Sequence, residues 1–286
     1  MRASTSTLAA LALIGASGCS FKVTEQNFIR PQPDATPATI PLAINGIDGL
    51  IESRYQVAAS AGATLNMVSL TQPDAQLTVL YFGPNMFKLS RDGQRVAERL
   101  LPLDVNLIMV DHRGSGGSSG TPSLALLEQD ALVAHDYVRN TLGVAQSRLL
   151  VHGLSLGSFM AAHVAMQRPL AGLVLEGSGT TVEDWAHQGV PWYAKPIVRL
   201  DIDPAIAEKG TLAAVKQSQA PLLILSGKRD EQAPWKMSQT LYDAAATPMT
   251  SKELVVIDEA GHMDMLDWPP AIAAYRRLIE RLQAVQ

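Results

Sequence analysis

A serine flanked by two glycines has the pattern expected of a reactive hydroxyl. The motif Gly153-x-Ser155-x-Gly157 follows an apolar run at residues 149–151, which predicts a short buried strand. Residues 156–167 are rich in small side chains and predict a helix. A strand that turns this sharply into a helix strains its central residue, and the flanking glycines allow close packing. The turn places the Ser155 hydroxyl at a helix N-terminus, where backbone N–H groups can meet an anion.

Two more polar side chains follow predicted strands further along the chain. Asp230 comes a few residues after an apolar run at 221–225, and His262 follows one at 253–257. Sites in parallel sheets form at the carboxyl ends of strands, so these residues and Ser155 are expected at one edge of the sheet. Their order along the chain is serine, aspartate, histidine.

The loop after the predicted strand 76–82 can point backbone N–H groups at the space above Ser155. Pro84 has no N–H, so we predict Asn85 as the donor, with Met86 second. The alternative is a turn that only reverses the chain.

Residues 111–120 are dense in glycine but do not have a phosphate-binding pattern. They lack both the Gly-Lys-Ser/Thr ending and the G-x-G-x-x-G spacing with its acidic ribose ligand. We therefore predict no phosphate site here, and we assign His112 a structural role within the loop.

The elements around these residues alternate between strands and helices. After a hairpin at 55–59 and 64–70, strands are predicted at 76–82, 105–110, 149–151, 170–175, 221–225 and 253–257. Helices are predicted at 90–101, 124–142, 156–167, 235–246 and 268–285. This alternation predicts an α/β fold with a mostly parallel sheet and right-handed crossovers.

Composition limits the function classes. The chain has 286 residues, of which 47% are hydrophobic and 17% charged, enough for one large core or a domain with an insertion. The net charge is −4 and no basic stripe is present, so nucleic acid is not expected as a partner. The oligomeric state is not predicted.

Residues 1–18 have the composition of an export signal. Arg2 precedes an apolar stretch, residues 8–14, that is too short to span a bilayer. The segment ends before Cys19, the only cysteine of the chain, and resembles a bacterial lipoprotein signal. Ala16 stands where that motif more commonly has leucine. The alternative is an ordinary secretory signal, and either one takes the chain out of the cytoplasm.

The lipoprotein resemblance implies a protein of the cell envelope, anchored to a membrane through a lipid on Cys19. Ser20, the residue after Cys19, resembles the residue that directs a lipoprotein to the outer membrane. If the host has two membranes, the protein would then be anchored in the outer membrane and face the periplasm. Residues 19–41 contain four prolines and few large apolar residues, which predicts an extended tether. An arm packed on the domain is the alternative for its later half.

From about Leu50 onward the chain resembles the α/β-hydrolases, and within them the Bem46-like and serine-aminopeptidase-like enzymes. The matching motifs are the Ser155 turn, Asp111-x-Arg113-Gly114-x-Gly116, Gly227-x-x-Asp230 and Gly261-His262. The order serine, acid, histidine is also that of the family. One departure is Gly83-Pro84, where the family has His-Gly in its oxyanion loop.

The resemblance implies an α/β-hydrolase fold over residues 42–286, with a mostly parallel central sheet and helices on both faces. Predicted strands and helices do not alternate over residues 179–220, and the resemblance implies that this segment is a short cap insertion. Side chains predicted to wall an acyl pocket are Met86, Trp185, Trp192 and Tyr193. The alternative for the three cap aromatics is that they only hold the cap onto the sheet.

The resemblance also implies the roles of the site residues. Ser155 is the nucleophile, His262 the base that takes its proton, and Asp230 the acid that orients the imidazole. The N–H groups of Leu156 and Asn85 stabilise the oxyanion, and no metal or organic cofactor is needed.

The predicted activity is hydrolysis of a carboxylic ester or related acyl bond of a small molecule. Acyl transfer, thioester cleavage and amide cleavage use the same triad and remain open. Glu176, which ends a predicted strand, is a rival for the acid. A non-catalytic envelope lipoprotein that kept the fold is the alternative of a different class.

Overall fold

The computed structural model describes residues 19–34 and 46–284. The predicted signal, residues 1–18, lies outside this range, as do residues 35–45 and the last two residues. The predicted tether is therefore described only as far as residue 34.

Most strands belong to one central sheet. The described strands are β1 (Cys19–Val23), β2 (Ile51–Ala58), β3 (Thr64–Thr71), β4 (Leu77–Phe82), β5 (Val105–Val110), β6 (Leu149–Leu154), β7 (Gly172–Glu176), β8 (Val198–Ile202), β9 (Leu222–Gly227) and β10 (Lys252–Ile257). Strands β2 to β7, β9 and β10 form the sheet in the order β10-β9-β7-β6-β4-β5-β3-β2. Only the pairings of β3 with β2 and β5 are antiparallel. Every side chain of β4 and β6 is buried, as expected of strands covered on both faces.

Helices cover both faces of this sheet. They are α1 (Leu89–Leu100), α2 (Leu124–Asn140), α3 (Leu156–Gln167), α4 (Val182–Gln188), α5 (Leu212–Gln217), α6 (Trp235–Ala244) and α7 (Pro269–Gln283). Buried side chains of α1 and α7 form one apolar core, and those of α2, α3, α5 and α6 form the other. Within the described residues, no helix has the length and apolar character needed to cross a membrane.

Residues 19–34, called here the N-terminal arm, pack on the domain, which corrects the tether prediction for this part of the chain. β1 pairs in parallel with β8, from Cys19 opposite Val198 to Val23 opposite Ile202. The Glu25 carboxylate accepts a 2.7 Å hydrogen bond from the Leu124 N–H at the start of α2. A helix N-terminus has unpaired N–H groups, so the arm supplies an acceptor that this helix needs.

The later part of the arm runs along the glycine-rich loop that follows β5. Gly116 donates to the Gln32 carbonyl at 3.0 Å and accepts from the Asp34 N–H at 2.9 Å. The Asp34 carboxylate then forms a 2.8 Å ion pair with Lys88. The prolines at 31 and 33 keep the arm extended, but the backbone groups between them find partners on the domain, so the arm does not hang free.

The predicted cap, residues 179–220, divides into two parts. Its first part contains α4 and β8 and lies over the carboxyl end of the sheet, where Thr181 bridges to Gly210. Its last part is α5, whose Ala214 and Val215 are buried in the core with α3 and α6. The cap therefore ends earlier than predicted, because α5 belongs to the helical layer of the domain.

The turn at residues 111–116, which carries one of the family motifs, contains a buried cluster of polar groups around Asp111. The Asp111 carboxylate accepts from Asn66 at 2.8 Å, from the Leu89 N–H at 2.7 Å and from the Gly117 N–H at 2.9 Å. Burial raises the pKa of Asp111, and these three donors oppose that rise. A Cβ on Gly116 would lie 2.2 Å from Asp111, so only glycine fits there. The cluster joins the loop after β5 to the start of α1.

Candidate active site

The loop between β6 and α3 holds Ser155 in a strained conformation. Its φ of 54° and ψ of −118° are unusual for any residue other than glycine. A Cβ on Gly153 would lie 2.2 Å from the Gly157 carbonyl oxygen, and one on Gly157 would lie 2.1 Å from that of Phe82. Both positions thus require glycine, which lets α3 press against the strand ends and present the serine hydroxyl.

The structure brings Ser155, His262 and Asp230 into one hydrogen-bonded chain. His262 Nε2 lies 2.8 Å from Ser155 Oγ, and His262 Nδ1 lies 2.7 Å from Asp230 Oδ2. The other Asp230 oxygen accepts 2.8 Å hydrogen bonds from the N–H groups of Gln232 and Ala233. The Asp230 side chain is 0% exposed and that of His262 is 9% exposed. The acid is thus fixed, while the histidine reaches the cavity.

Close packing between two strand ends places the acid beside the histidine. A Cβ on Gly227, the last residue of β9, would lie 2.4 Å from the carbonyl oxygens of Ala260 and Gly261. The loop that carries His262 can therefore approach β9 closely. The Asp264 carboxylate accepts a 2.7 Å hydrogen bond from the Gly261 N–H, so it supports this loop.

Glu176, the rival acid, has a different partner. Its Oε2 lies 3.0 Å from Nε2 of His152, and both side chains are buried. His152 is thus a packed residue of the strand end. Burial raises the pKa of Tyr275, whose hydroxyl lies 3.4 Å from His152 Nδ1, and the Glu176 charge adds to that rise.

His112 holds the loop predicted to supply an oxyanion donor. Its Nε2 lies 2.7 Å from the Gly83 carbonyl oxygen. A carbonyl only accepts, so Nε2 carries the proton and donates it. Burial lowers the pKa of His112, which keeps the ring neutral at neutral pH. The imidazole is therefore a structural anchor of the loop, as its place in the sequence indicates.

The two predicted oxyanion donors lie at the same cavity as Ser155. Asn85 and Leu156 line it together with Ser155 and His262. Leu156 is the first residue of α3, where an N–H has no carbonyl partner within the helix. The Asn85 side chain is occupied elsewhere, since it donates to the Phe28 carbonyl and accepts from an arm N–H. Its backbone N–H makes no hydrogen bond to another described residue.

The cavity above Ser155 is small and mostly apolar. Its volume is about 100 Å³. The apolar side chains that line it are Phe28, Leu156, Phe159, Val182 and Trp185. Phe28 and Trp185 meet edge to face with ring centroids 5.8 Å apart. Among the described residues, no group of three His, Cys, Asp or Glu side chains could hold a metal ion.

Two of the four residues predicted to wall an acyl pocket line a cavity at the site, and two do not. Trp185 lines the small cavity, and Met86 lines a second cavity beside it. For Trp192 and Tyr193 the prediction is wrong, because their side chains are 83% and 69% exposed and line neither cavity. They contact each other edge to face on the surface of the cap.

Sequence reasoning did not identify Phe28 or Gln232 as site residues. Gln232 follows the acid by two residues and lines both cavities. Phe28 belongs to the arm, and its place at the site depends on the Asn85 side chain, 57 residues away. No local pattern in the arm indicates that contact.

Comparison with curated proteins identifies relatives. An uncharacterized protein of Mycobacterium tuberculosis is 33% identical over 186 residues, or 64% of this chain, and the match spans 63% of that protein's length. The α/β-hydrolase domain-containing protein WAV2 of Arabidopsis thaliana is 29% identical over 65% of this chain and 64% of its own. Bem46 of Schizosaccharomyces pombe is 26% identical over 59% of this chain and 56% of its own. The relatives therefore include Bem46, as the motifs implied.

Solved structures show the same architecture. An esterase of Pyrococcus furiosus superposes with a TM-score of 0.68 at 16% identity, covering 88% of this chain and 97% of the esterase. Mouse α/β-hydrolase domain-containing protein 10 superposes with a TM-score of 0.56 at 17% identity, covering 81% of this chain and 98% of its own. No family model matches the chain. At these identities the likeness shows a shared fold.

Proposed function

We propose that this chain, which has the α/β-hydrolase fold, is a serine hydrolase that cleaves a carboxylic ester or related acyl bond through an acyl-enzyme on Ser155. The observation that carries the proposal is the hydrogen-bonded chain from Ser155 through His262 to Asp230, with links of 2.8 and 2.7 Å. A serine hydroxyl is a weak nucleophile until a base within reach takes its proton.

The geometry supports a two-step acyl transfer to water. His262 Nε2 takes the Ser155 proton as the oxygen attacks the acyl carbon, then gives it to the leaving group. Asp230 holds the other ring nitrogen protonated and stabilises the imidazolium. The N–H groups of Leu156 and Asn85 receive the developing oxyanion, and each such donor is worth about 3 kcal/mol of transition-state stabilisation. Water then attacks the acyl-enzyme with His262 again as the base.

The small cavity favours a short acyl group. An apolar cavity of about 150 Å³ accommodates a benzene molecule. The cavity above Ser155 is smaller, about 100 Å³, and its walls are mostly apolar. An acyl chain of up to about five carbons fits that space, and a longer chain would displace the Phe28–Trp185 wall.

A panel of 4-nitrophenyl esters with acyl chains of two to twelve carbons tests this function. We expect kcat/KM to be greatest at about four carbons and to fall beyond about six, because the cavity is small and aromatic rings line it. Labelling with a fluorophosphonate probe measures the activated serine independently of the ester. A folded protein that hydrolyses no ester and takes up no probe would contradict the proposed function.

We also propose that the protein is exported and anchored to a membrane of the cell envelope through a lipid on Cys19. The sequence of residues 1–19 supports this. We expect the wild-type protein to enter the detergent phase in Triton X-114 partitioning, and Cys19→Ser to remain uncleaved. Mass spectrometry of the mature N-terminus provides the second measurement. An unmodified N-terminus at any other residue would contradict the lipid anchor and leave secretion intact.

A further inference from the structure

A second cavity opens on Ser155 and His262 and, unlike the first, has arginines among its lining residues. Its volume is about 380 Å³. Four arginines line it: Arg30, Arg91, Arg95 and Arg99. We propose that this cavity binds the leaving-group half of the substrate, and that the leaving group carries a carboxylate or phosphate. This inference rests on the proposed function.

Three of the arginines come from one face of a single helix. Arg91, Arg95 and Arg99 are spaced four residues apart on α1, so their side chains lie in one row. Arg30 approaches from the N-terminal arm, where its backbone N–H donates a 3.1 Å hydrogen bond to Asn85 Oδ1. The arm and α1 thus present cations to one space from two sides.

The carboxylates nearby do not balance these cations. Asp92 pairs with Arg91 at 2.8 Å. Arg95 and Arg99 share a single oxygen of Asp267, at 2.9 and 2.5 Å. No carboxylate of the described residues lies within ion-pair distance of Arg30. Four guanidinium groups therefore face two carboxylates, and the cavity keeps a positive surplus for a ligand.

The environment strengthens the attraction for an anion. The Arg99 side chain is 13% exposed, so solvent screens its charge less than that of a free surface arginine. Guanidinium groups bind carboxylates and phosphates through paired N–H donors. An alkyl chain in this space would strip water from the cations without replacing their hydrogen bonds. The arginines thus favour an oxyanion over a second apolar chain.

The two cavities meet at the reacting atoms and divide the substrate between them. Ser155, His262 and Asn85 line both. With the short acyl group in the apolar cavity, the scissile bond lies at Ser155 and the alcohol half enters the arginine-lined cavity. The Ser155 oxygen forms a bond to the acyl carbon, the bond to the alcohol oxygen breaks, and His262 returns the proton to that oxygen. Water later releases the acid, so no other reactant is required.

Matched esters test the charge preference. The substrates are butyryl esters of 4-hydroxybenzoate, 4-hydroxyphenyl phosphate and neutral 4-hydroxybenzamide, with each kcat/KM divided by the rate of alkaline hydrolysis of that ester. We expect at least one anionic ester to exceed the neutral one about tenfold at low ionic strength. The advantage should shrink as salt is added. Comparison of the two anions tells which oxyanion the cavity accepts.

Two variants link the preference to the cavity. Arg30→Gln and Arg95→Gln remove exposed guanidinium groups, and each is expected to bring the anionic-to-neutral ratio toward one, mainly through a higher KM for the anionic ester. Arg277→Gln is the matched control, because Arg277 lies on α7 and pairs with Glu253. The anionic-to-neutral ratio of Arg277→Gln should equal that of the wild type.

Two results would overturn the proposal. One is a wild-type enzyme that hydrolyses the neutral ester as fast as both anionic esters, and the other is an anionic preference that neither arginine variant reduces. Fluorophosphonate labelling separates this failure from failure of the proposed function. A labelled enzyme without a charge preference remains a serine hydrolase, whereas an unlabelled and inactive one does not.

Discussion

Ser155→Ala is expected to lower kcat by about 10⁶-fold and to abolish fluorophosphonate labelling. The variant removes the hydroxyl oxygen that lies 2.8 Å from His262 Nε2 and is proposed to form the acyl-enzyme. Binding of the ester should change little, because the two cavities and the predicted oxyanion donors remain. The measurement is steady-state hydrolysis of 4-nitrophenyl butyrate together with gel-based probe labelling.

Ser238→Ala is the matched control for the nucleophile. Ser238 is a buried serine on α6 whose hydroxyl has no hydrogen-bond partner among the described residues, and it lines neither cavity. Its removal should leave labelling and kcat unchanged. Labelling that persists in Ser155→Ala would show that another residue is the nucleophile and would contradict the assignment.

Asp230→Asn is expected to lower kcat by about 10⁴-fold while the protein stays folded. In the wild type, Asp230 Oδ1 accepts from the N–H groups of Gln232 and Ala233. An asparagine carbonyl would keep those two hydrogen bonds, which turns its NH₂ group toward His262. The ring nitrogen facing Asp230 would then have to accept, and the proton would move to Nε2. In that tautomer the histidine cannot take the Ser155 proton.

Asp258→Asn is the control for the acid. Asp258 is close to His262 in sequence but is exposed and pairs with Lys228. We expect its kcat to match that of the wild type. In urea titrations we expect the free energy of unfolding of every variant to lie within about 1 kcal/mol of the wild-type value. A loss of less than tenfold in Asp230→Asn would reject Asp230 as the orienting acid and return attention to Glu176.

Residues 153–157 illustrate what local sequence determines. A Cβ on Gly153 would lie 2.2 Å from the Gly157 carbonyl oxygen within the same turn, so this glycine is required locally, whereas a Cβ on Gly157 would lie 2.1 Å from the Phe82 carbonyl oxygen at the end of β4. Apolar runs such as 105–110, in which Asn106 is the one polar residue, predict their strands because a strand buried on both faces has few polar positions. The fold and the chain order of the three site residues follow from such signals.

Contacts between distant segments decided which acid pairs with His262 and which aromatic side chains line the cavity. Glu176 is the last residue of β7 and Asp230 follows β9, and the packing of Gly227 against Ala260 and Gly261 brings Asp230 beside His262. Trp192 and Tyr193 are aromatic, but the path of the cap leaves them on the surface.

The positions of the N-terminal arm and of the three arginines on α1 could be predicted least from sequence, because tertiary contacts set them. Proline content predicts an extended chain, and it cannot tell whether backbone groups find partners on a surface far away in sequence. A spacing of four predicts that Arg91, Arg95 and Arg99 share a face of α1, but not that this face borders the nucleophile. Sequence by itself therefore predicted the three residues that we propose to react, and the elements that carry them. The tertiary structure decided which side chains surround the reacting groups, because those contacts join residues with no local relation.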